Sequence, residues 1–127
     1  GLGVNIDRYG PPNTTSPLYV DLHDPRWPEQ FDVLYSANVI HIMAEALLPQ
    51  LFLSPANLLL FYGPFKYKGE FTSESNARFD LWLKERNPLS GVRDIEKLIE
   101  LGSQRGYQLI SDTPMPANNQ FLQFRRN

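Results

Sequence analysis

The residues of this chain best suited to chemistry gather where short apolar runs stop. Asp21 and Leu22 close the run PLYVDL (17–22), Ser36 and Ala37 close FDVLYSA (31–37) with Asn38 after them, and Tyr62 closes NLLLFY (57–62). Runs this short, apolar on both faces and bounded by turn formers, read as strands buried in the middle of a parallel sheet. The C-terminal ends of such strands are where α/β sheets take ligands. Small side chains at Ser36 and Ala37 let a ligand approach the backbone, and Asn38 brings both donor and acceptor; an asparagine there equally caps a following helix. His41 has the ring for a general base, since an unperturbed imidazole titrates near ~6.5, although a lone histidine beside an apolar helix also serves structure. Tyr62-Gly63-Pro64-Phe65, with Tyr67 and Phe71, offers aromatic faces that suit a sulfonium or amine cation. The same residues also read as a plain chain reversal packed into core.

A second set lies further on. Glu74, Ser75, Asn76, Arg78 and Asp80 crowd the start of a helix, where free amides attract anions; the alternative is a solvated, well-capped helix end. Arg93 has the fork to pair with a carboxylate, and Asp94 suits a helix N-terminus. Pro116-Ala117-Asn118-Asn119 joins the last two strands, where asparagines tolerate left-handed geometry. No His/Asp/Glu cluster has metal spacing, no serine sits in a nucleophile elbow, and there is no phosphate loop.

The elements that must hold these residues follow from pattern. Residues 42–53 carry helix formers, with Pro49 kinking them or opening a second short helix. Thr72 and Ser73 stand before a helix over 74–86, whose Phe79, Trp82 and Leu83 share a face, and Pro88 closes it. Ser90 is placed to cap a helix over 92–105 that buries Ile95, Leu98 and Ile99 and stops at Gly106. Residues 107–113 and 120–125 read as an antiparallel pair across a turn-rich loop at 114–119. The fold class is therefore α/β with a mixed sheet and an antiparallel C-terminal strand pair. Residues 1–16, rich in glycine, proline and asparagine, read as irregular, and 17–127 as one unit.

Bulk composition narrows the function. With 127 residues and 42% apolar content the chain buries one core. A net charge of −2 gives no basic footprint for nucleic acid. The absence of cysteine excludes disulfides, thiolate metal sites and cysteine nucleophiles. No stretch approaches the ~20 apolar residues of a membrane span, so a cytoplasmic setting is expected. A start at Gly1, without methionine, reads as a fragment.

Four longer segments carry a resemblance: YSANVIHIM (35–43), YGPFKYKGEFTSESNARFDLWLKERNP (62–88), GVRDIEKL (91–98) and MPANNQFLQFRR (115–126). Together they resemble the methyltransferase-like protein 26 family, whose bacterial members are catalogued as a domain of unknown function. The likeness runs from Pro17 onward and implies a partial class I methyltransferase fold, strands three to seven, with S-adenosylmethionine as cofactor. It implies that the Asp21 carboxylate meets the adenine amino group, the Leu22 amide a ring nitrogen, and Ser36, Ala37 and Asn38 the cofactor. It further implies substrate contacts from Phe65, Glu74, Ser75, Asn76, Arg78, Asn118 and Asn119, and catalytic roles for His41 and Tyr62. Two departures stand out. The family's opening strand and GxGxG turn are absent, and the segment before Ser54-Pro55-Ala56-Asn57 is shorter than the family's. The resemblance thus implies methyl transfer to an unknown acceptor at family level, and a chain inactive by itself with weak cofactor binding. The alternative is a non-catalytic module associating with a partner or itself through a sheet edge left open by the missing strands.

Overall fold

The computed structural model describes residues 3–7, 18–28 and 30–127. Nine strands and three α-helices follow one another: β1 (Gly3–Asp7), β2 (Leu18–Asp21), β3 (Val33–Ala37), a 3-10 turn at Glu45–Leu47 leading into α1 (Leu48–Leu51), β4 (Leu58–Gly63), β5 (Phe65–Tyr67), β6 (Glu70–Phe71), α2 (Glu74–Arg86), β7 (Arg93–Asp94), α3 (Ile95–Ser103), β8 (Tyr107–Met115) and β9 (Asn119–Arg126). Six strands form one sheet in the order β2-β1-β3-β4-β9-β8, and β6-β5-β7 form a small second one. The architecture is α/β with a mixed sheet and an antiparallel β8–β9 pair, as its pattern predicts.

Several expectations change. Gly3–Asp7, inside the segment read as irregular, is a strand that pairs antiparallel with both β2 and β3. Val4 and Ile6 alternate with Asn5 and Asp7 in the period of a strand, a signal too short to stand out among prolines and glycines. Because β1 covers β3, the outer edge of β3 is not open, and β2 and β8 are the edges of the sheet. The large sheet is also not parallel: β3 and β4 are its one parallel pair of neighbours among the described residues, Leu34 opposite Leu59 and Ala37 opposite Tyr62, while β9 pairs antiparallel with β4. Nor are these strands buried on both faces. Leu34, Ser36, Leu59 and Phe61 are buried, whereas Val33, Tyr35, Leu58, Leu60 and Tyr62 are half-buried.

The buried face carries the core. Leu48, Leu51 and Phe52 from α1 and its exit, and Ile95, Leu98 and Leu101 from α3, close over Leu34, Leu59, Phe61, Leu122 and Phe124. Phe52 stands edge-on to Phe61, Tyr107 and Phe124 with ring centroids 5.6–5.9 Å apart, the arrangement that ring quadrupoles favour. Pro49 opens α1 rather than kinking a longer helix, since its missing amide costs nothing in a first turn.

The helix expected over 92–105 begins later. Arg93 and Asp94 form β7, in parallel register with Phe65 and Lys66, and Asp94 is the residue before α3. Ser90 caps nothing; its hydroxyl donates to the Ile42 carbonyl at 2.6 Å. A tertiary hydrogen bond has taken the side chain that local pattern assigned to the helix. The helix over Glu74–Arg86 is as expected, with the Ser73 hydroxyl accepting from the Asn76 amide at 3.1 Å.

Candidate functional site

The sheet register brings the strand ends together. Asp21 lies opposite Gly3, Asn5 opposite Tyr35, and Ala37 opposite Tyr62, so β2, β3 and β4 all end along one side of the sheet. A cleft of about 440 Å³ opens there, lined by Asn38, His41, Ile42, Pro64, Ser75, Asn76, Phe79, Ala117 and Asn119. Its size is that of a small-molecule site.

His41 is a nearly buried polar side chain of this cleft, with 5% exposure. Its ring meets Phe79 edge-on at 5.3 Å, and no hydrogen-bond partner for the ring lies among the described residues. Burial, and then the positive charge of Arg93, push its pKa down to about 4, so the ring is neutral at physiological pH and free to accept a proton or a hydrogen bond. Gly63 makes room for it: a Cβ at that position would stand 3.5 Å from His41 Nδ1 and 3.9 Å from Asn38 Oδ1. These two atoms therefore face one point beside the Gly63 backbone.

The turn that carries His41 is held by one segment of the chain. The Gly91 amide donates to the His41 carbonyl at 2.9 Å, the Ser90 hydroxyl to the Ile42 carbonyl, and the Arg93 guanidinium to the Met43 carbonyl at 2.9 Å. Three successive carbonyls are thus satisfied from residues 90–93, which spares the turn the cost of buried unpaired acceptors. That segment is itself fixed by Asp80 of α2, 4% exposed, which accepts from the Val92 amide at 2.8 Å and pairs with Lys84 at 2.8 Å. Arg93 therefore binds main chain rather than a carboxylate.

The opposite wall comes from α2 and the β8–β9 turn. Asn76, 5% exposed, donates to the Thr72 hydroxyl and to the Asn118 carbonyl, each at 3.1 Å. Asn118 donates to the Ser75 hydroxyl at 3.2 Å, and Asn119 to the Tyr62 hydroxyl at 3.3 Å and the Pro116 carbonyl at 3.1 Å. Asn38, Ala117 and Asn118 all have positive φ, near 60°. Backbone strain of this kind concentrates at functional sites.

The sequence-derived residues thus divide. Asn38, His41, Ser75, Asn76 and Asn119 line the cleft, with Tyr62 and Asn118 bonded to its wall. Phe65 does not: it is 1% exposed and belongs to the core, because its strand β5 turns inward after Pro64. Glu74 and Arg78 pair with each other at 3.9 Å on the exposed side of α2. Ser36 is buried, and its hydroxyl has no partner among the described residues. Ala37 is half-buried at the end of β3. Pro64 and Ala117, from the Tyr62–Phe65 and Pro116–Asn119 segments, also line the cleft, as do Phe79 and Ile42, which had not been singled out for it. For Phe79 a signal existed, since it stands three and four residues after Asn76 and Ser75 on one helix face.

The positions matched to cofactor contacts are less complete. Leu22 anchors its side chain in the core, and the Asp21 carboxylate closes its own turn, accepting the His23 amide at 2.9 Å with the His23 ring at 3.1 Å. These His23 contacts lower the Asp21 pKa. The Asn38 backbone amide is committed to the Tyr62 carbonyl at 2.8 Å, which leaves only its side chain. Most telling is the strand beside β3. A nucleotide-type cradle uses the turn that follows a parallel strand and opens a helix at this side of the sheet. Here the neighbour is β1, which runs the other way and leaves its C-terminal end at the opposite side. The described residues therefore do not fit a complete sulfonium-nucleoside cradle. No cluster of metal-ligating side chains lies among them either, and no helix is long and apolar enough to cross a membrane.

The fold has known counterparts. The O-methyltransferase family 2 protein from Planctomyces limnophilus DSM 3776, in complex with apigenin, superposes with a TM-score of 0.71 at 13% identity, over 84% of this chain and 34% of that one. CalO1, a methyltransferase in calicheamicin biosynthesis in its SAH-bound form, gives 0.68 at 11% identity, over 87% and 34%. The pyocyanin biosynthetic protein PhzM gives 0.62 at 14%, over 84% and 33%. The chain thus has the fold of part of a methyltransferase and spans about a third of the length of these structures. A family model described as "Protein of unknown function (DUF938)" matches residues 1–126.

Proposed function

We propose that this chain, which belongs to the DUF938 family of proteins of unknown function, is the acceptor-binding part of a methyltransferase-like domain. The observation that carries this reading is a neutral, nearly buried imidazole, His41, without a described partner, in a small-molecule cleft at the strand ends of a methyltransferase-type fold. In an intact relative the chemistry would be transfer of a methyl group from S-adenosylmethionine to an acceptor. The demand on the protein there is alignment, because the sulfonium is already activated. The resemblance to the methyltransferase-like protein 26 family supports the same activity, and the proposed setting is the cytoplasm.

By itself the chain is proposed to be inactive, since β1 runs against the direction that a cofactor turn requires. Calorimetry with S-adenosylmethionine tests this directly. No saturable binding below about 1 mM is expected, and a micromolar Kd would overturn the inactive reading.

One observation favours a second reading, a non-catalytic interaction module. The chain supplies its own strand, β1, beside β3, so the sheet is extended from within without a cofactor half. Partner binding or self-association would then use the edge strands β2 and β8 or the half-buried sheet face. Sedimentation at tens of micromolar distinguishes the readings: a stable dimer supports the module, and a monomer removes self-association from it.

A further inference from the structure

The cleft has a feature that its shape alone does not give: none of its described lining residues carries a charge. Its polar groups are the His41 imidazole, the Asn38 and Asn119 amides, and the Ser75 and Asn76 side chains. The nearby charges are engaged elsewhere. Arg93 donates to the Met43 and Leu89 carbonyls, Asp80 is held by Val92 and Lys84, and Glu74 with Arg78 faces solvent.

Hydrogen-bond accounting then describes the missing partner. Asn119 and Asn76 spend their amide hydrogens on Tyr62, Pro116, Thr72 and Asn118. The His41 ring and the Asn38 amide are left without a partner among the described residues, and His41 Nδ1 and Asn38 Oδ1 face one point beside Gly63. A neutral imidazole offers one donor and one acceptor, and an amide offers both. A hydroxyl group, which donates once and accepts once, is their complement. A carboxylate has only acceptors, and no lining residue offers it a cation, since the Arg93 guanidinium whose charge reaches His41 is held by the Met43 and Leu89 carbonyls; an ammonium has only donors and meets no anion among the lining residues. Either would give up part of its hydration in the cleft without a counter-charge among the lining residues to replace it.

We propose that this cleft takes an uncharged, hydroxyl-bearing small molecule, its hydroxyl hydrogen-bonded between the His41 imidazole and the Asn38 side-chain amide, its apolar body against Phe79, Ile42 and Pro64. The proposal rests on reading the cleft as the acceptor side of the domain. It names the acceptor class: an alcohol or phenol oxygen rather than an amine or an acid.

The test is a set of isosteres read by NMR at neutral pH, with the full chain and the side-chain signals of His41 and Phe79 as reporters. The probes are 4-methylphenol, 4-methylanisole, benzoate and benzylamine. We expect 4-methylphenol to shift both residues saturably, with the other three binding roughly tenfold more weakly, the cost of one unmet buried hydrogen bond or charge. His41→Phe should erase the preference for the phenol over its methyl ether. Should that variant fail to fold, Asn38→Ala should reduce the same preference. Equal or tighter binding of benzoate or benzylamine overturns the proposal, as does the absence of any shift with 4-methylphenol at tens of millimolar. No methyl donor is present in this set, so its failure is distinguishable from failure of the methyl-transfer reading, which the S-adenosylmethionine titration addresses separately.

Discussion

At the scale of single residues, His41 ties stability to pH. The unfolded chain takes up a proton on this ring near ~6.5, whereas the folded chain resists until about 4 because the ring is buried. Between those values the unfolded state binds more protons, so stability falls as pH drops from about 6.5 towards 4 and is level above that window. The full effect is at most about 3 kcal/mol. Urea midpoints measured from pH 7.5 to 4.5 should show this slope, and His41→Gln should flatten it; an unchanged slope in the variant would show that other groups cause it. Ala117 is a second single-residue case, since its φ of 61° is costly for a residue with a Cβ. Ala117→Gly should therefore be neutral or stabilising by about 0.5 kcal/mol in thermal unfolding, where the same change in a helix costs about 1.

At the scale of elements, the supports of the cleft matter more than its lining. Asp80→Ala removes the acceptor for the Val92 amide and the partner of Lys84, and should cost about 3 kcal/mol in urea unfolding. Asp80→Asn keeps the oxygen that faces Val92 and should cost only about 1 kcal/mol by comparison. Ser73→Ala, which deletes the cap of α2, should also cost about 1 kcal/mol. Much of this level was legible in the sequence: the 74–86 helix and its cap, the C-terminal pair and the stop at Gly63-Pro64; Asn38, His41, Ser75, Asn76 and Asn119, each singled out from the sequence, line one cleft. What was not legible depends on partners distant in sequence. Ser90 looks like a cap until Ile42 stands 48 residues away as its acceptor. Phe65 looks like a cleft aromatic until the core closes on it. Val4 and Ile6 declare a strand only when β2 and β3 offer them a register.

At the scale of the whole molecule, α1 and α3 pack on the buried face of the sheet, around the aromatic cluster of Phe52, Phe61, Tyr107 and Phe124. Phe52→Ala should therefore destabilise the fold by about 3–5 kcal/mol and lower the cooperativity of urea unfolding, while leaving the remote Ser73 cap intact. The order of the sheet carries one more consequence. β9 lies between β4 and β8, so β8, although made first, touches the sheet only through the strand that follows it. Neither strand can complete the sheet until the chain has reversed through Pro116–Asn118, the turn whose Ala117 and Asn118 are already in an uncommon conformation. Early closure of that hairpin is the expected folding route, and in stopped-flow measurements any stabilisation by Ala117→Gly should then appear in the folding rate rather than in the unfolding rate. The turn that borders the cleft is thus also expected to set the pace at which the molecule folds.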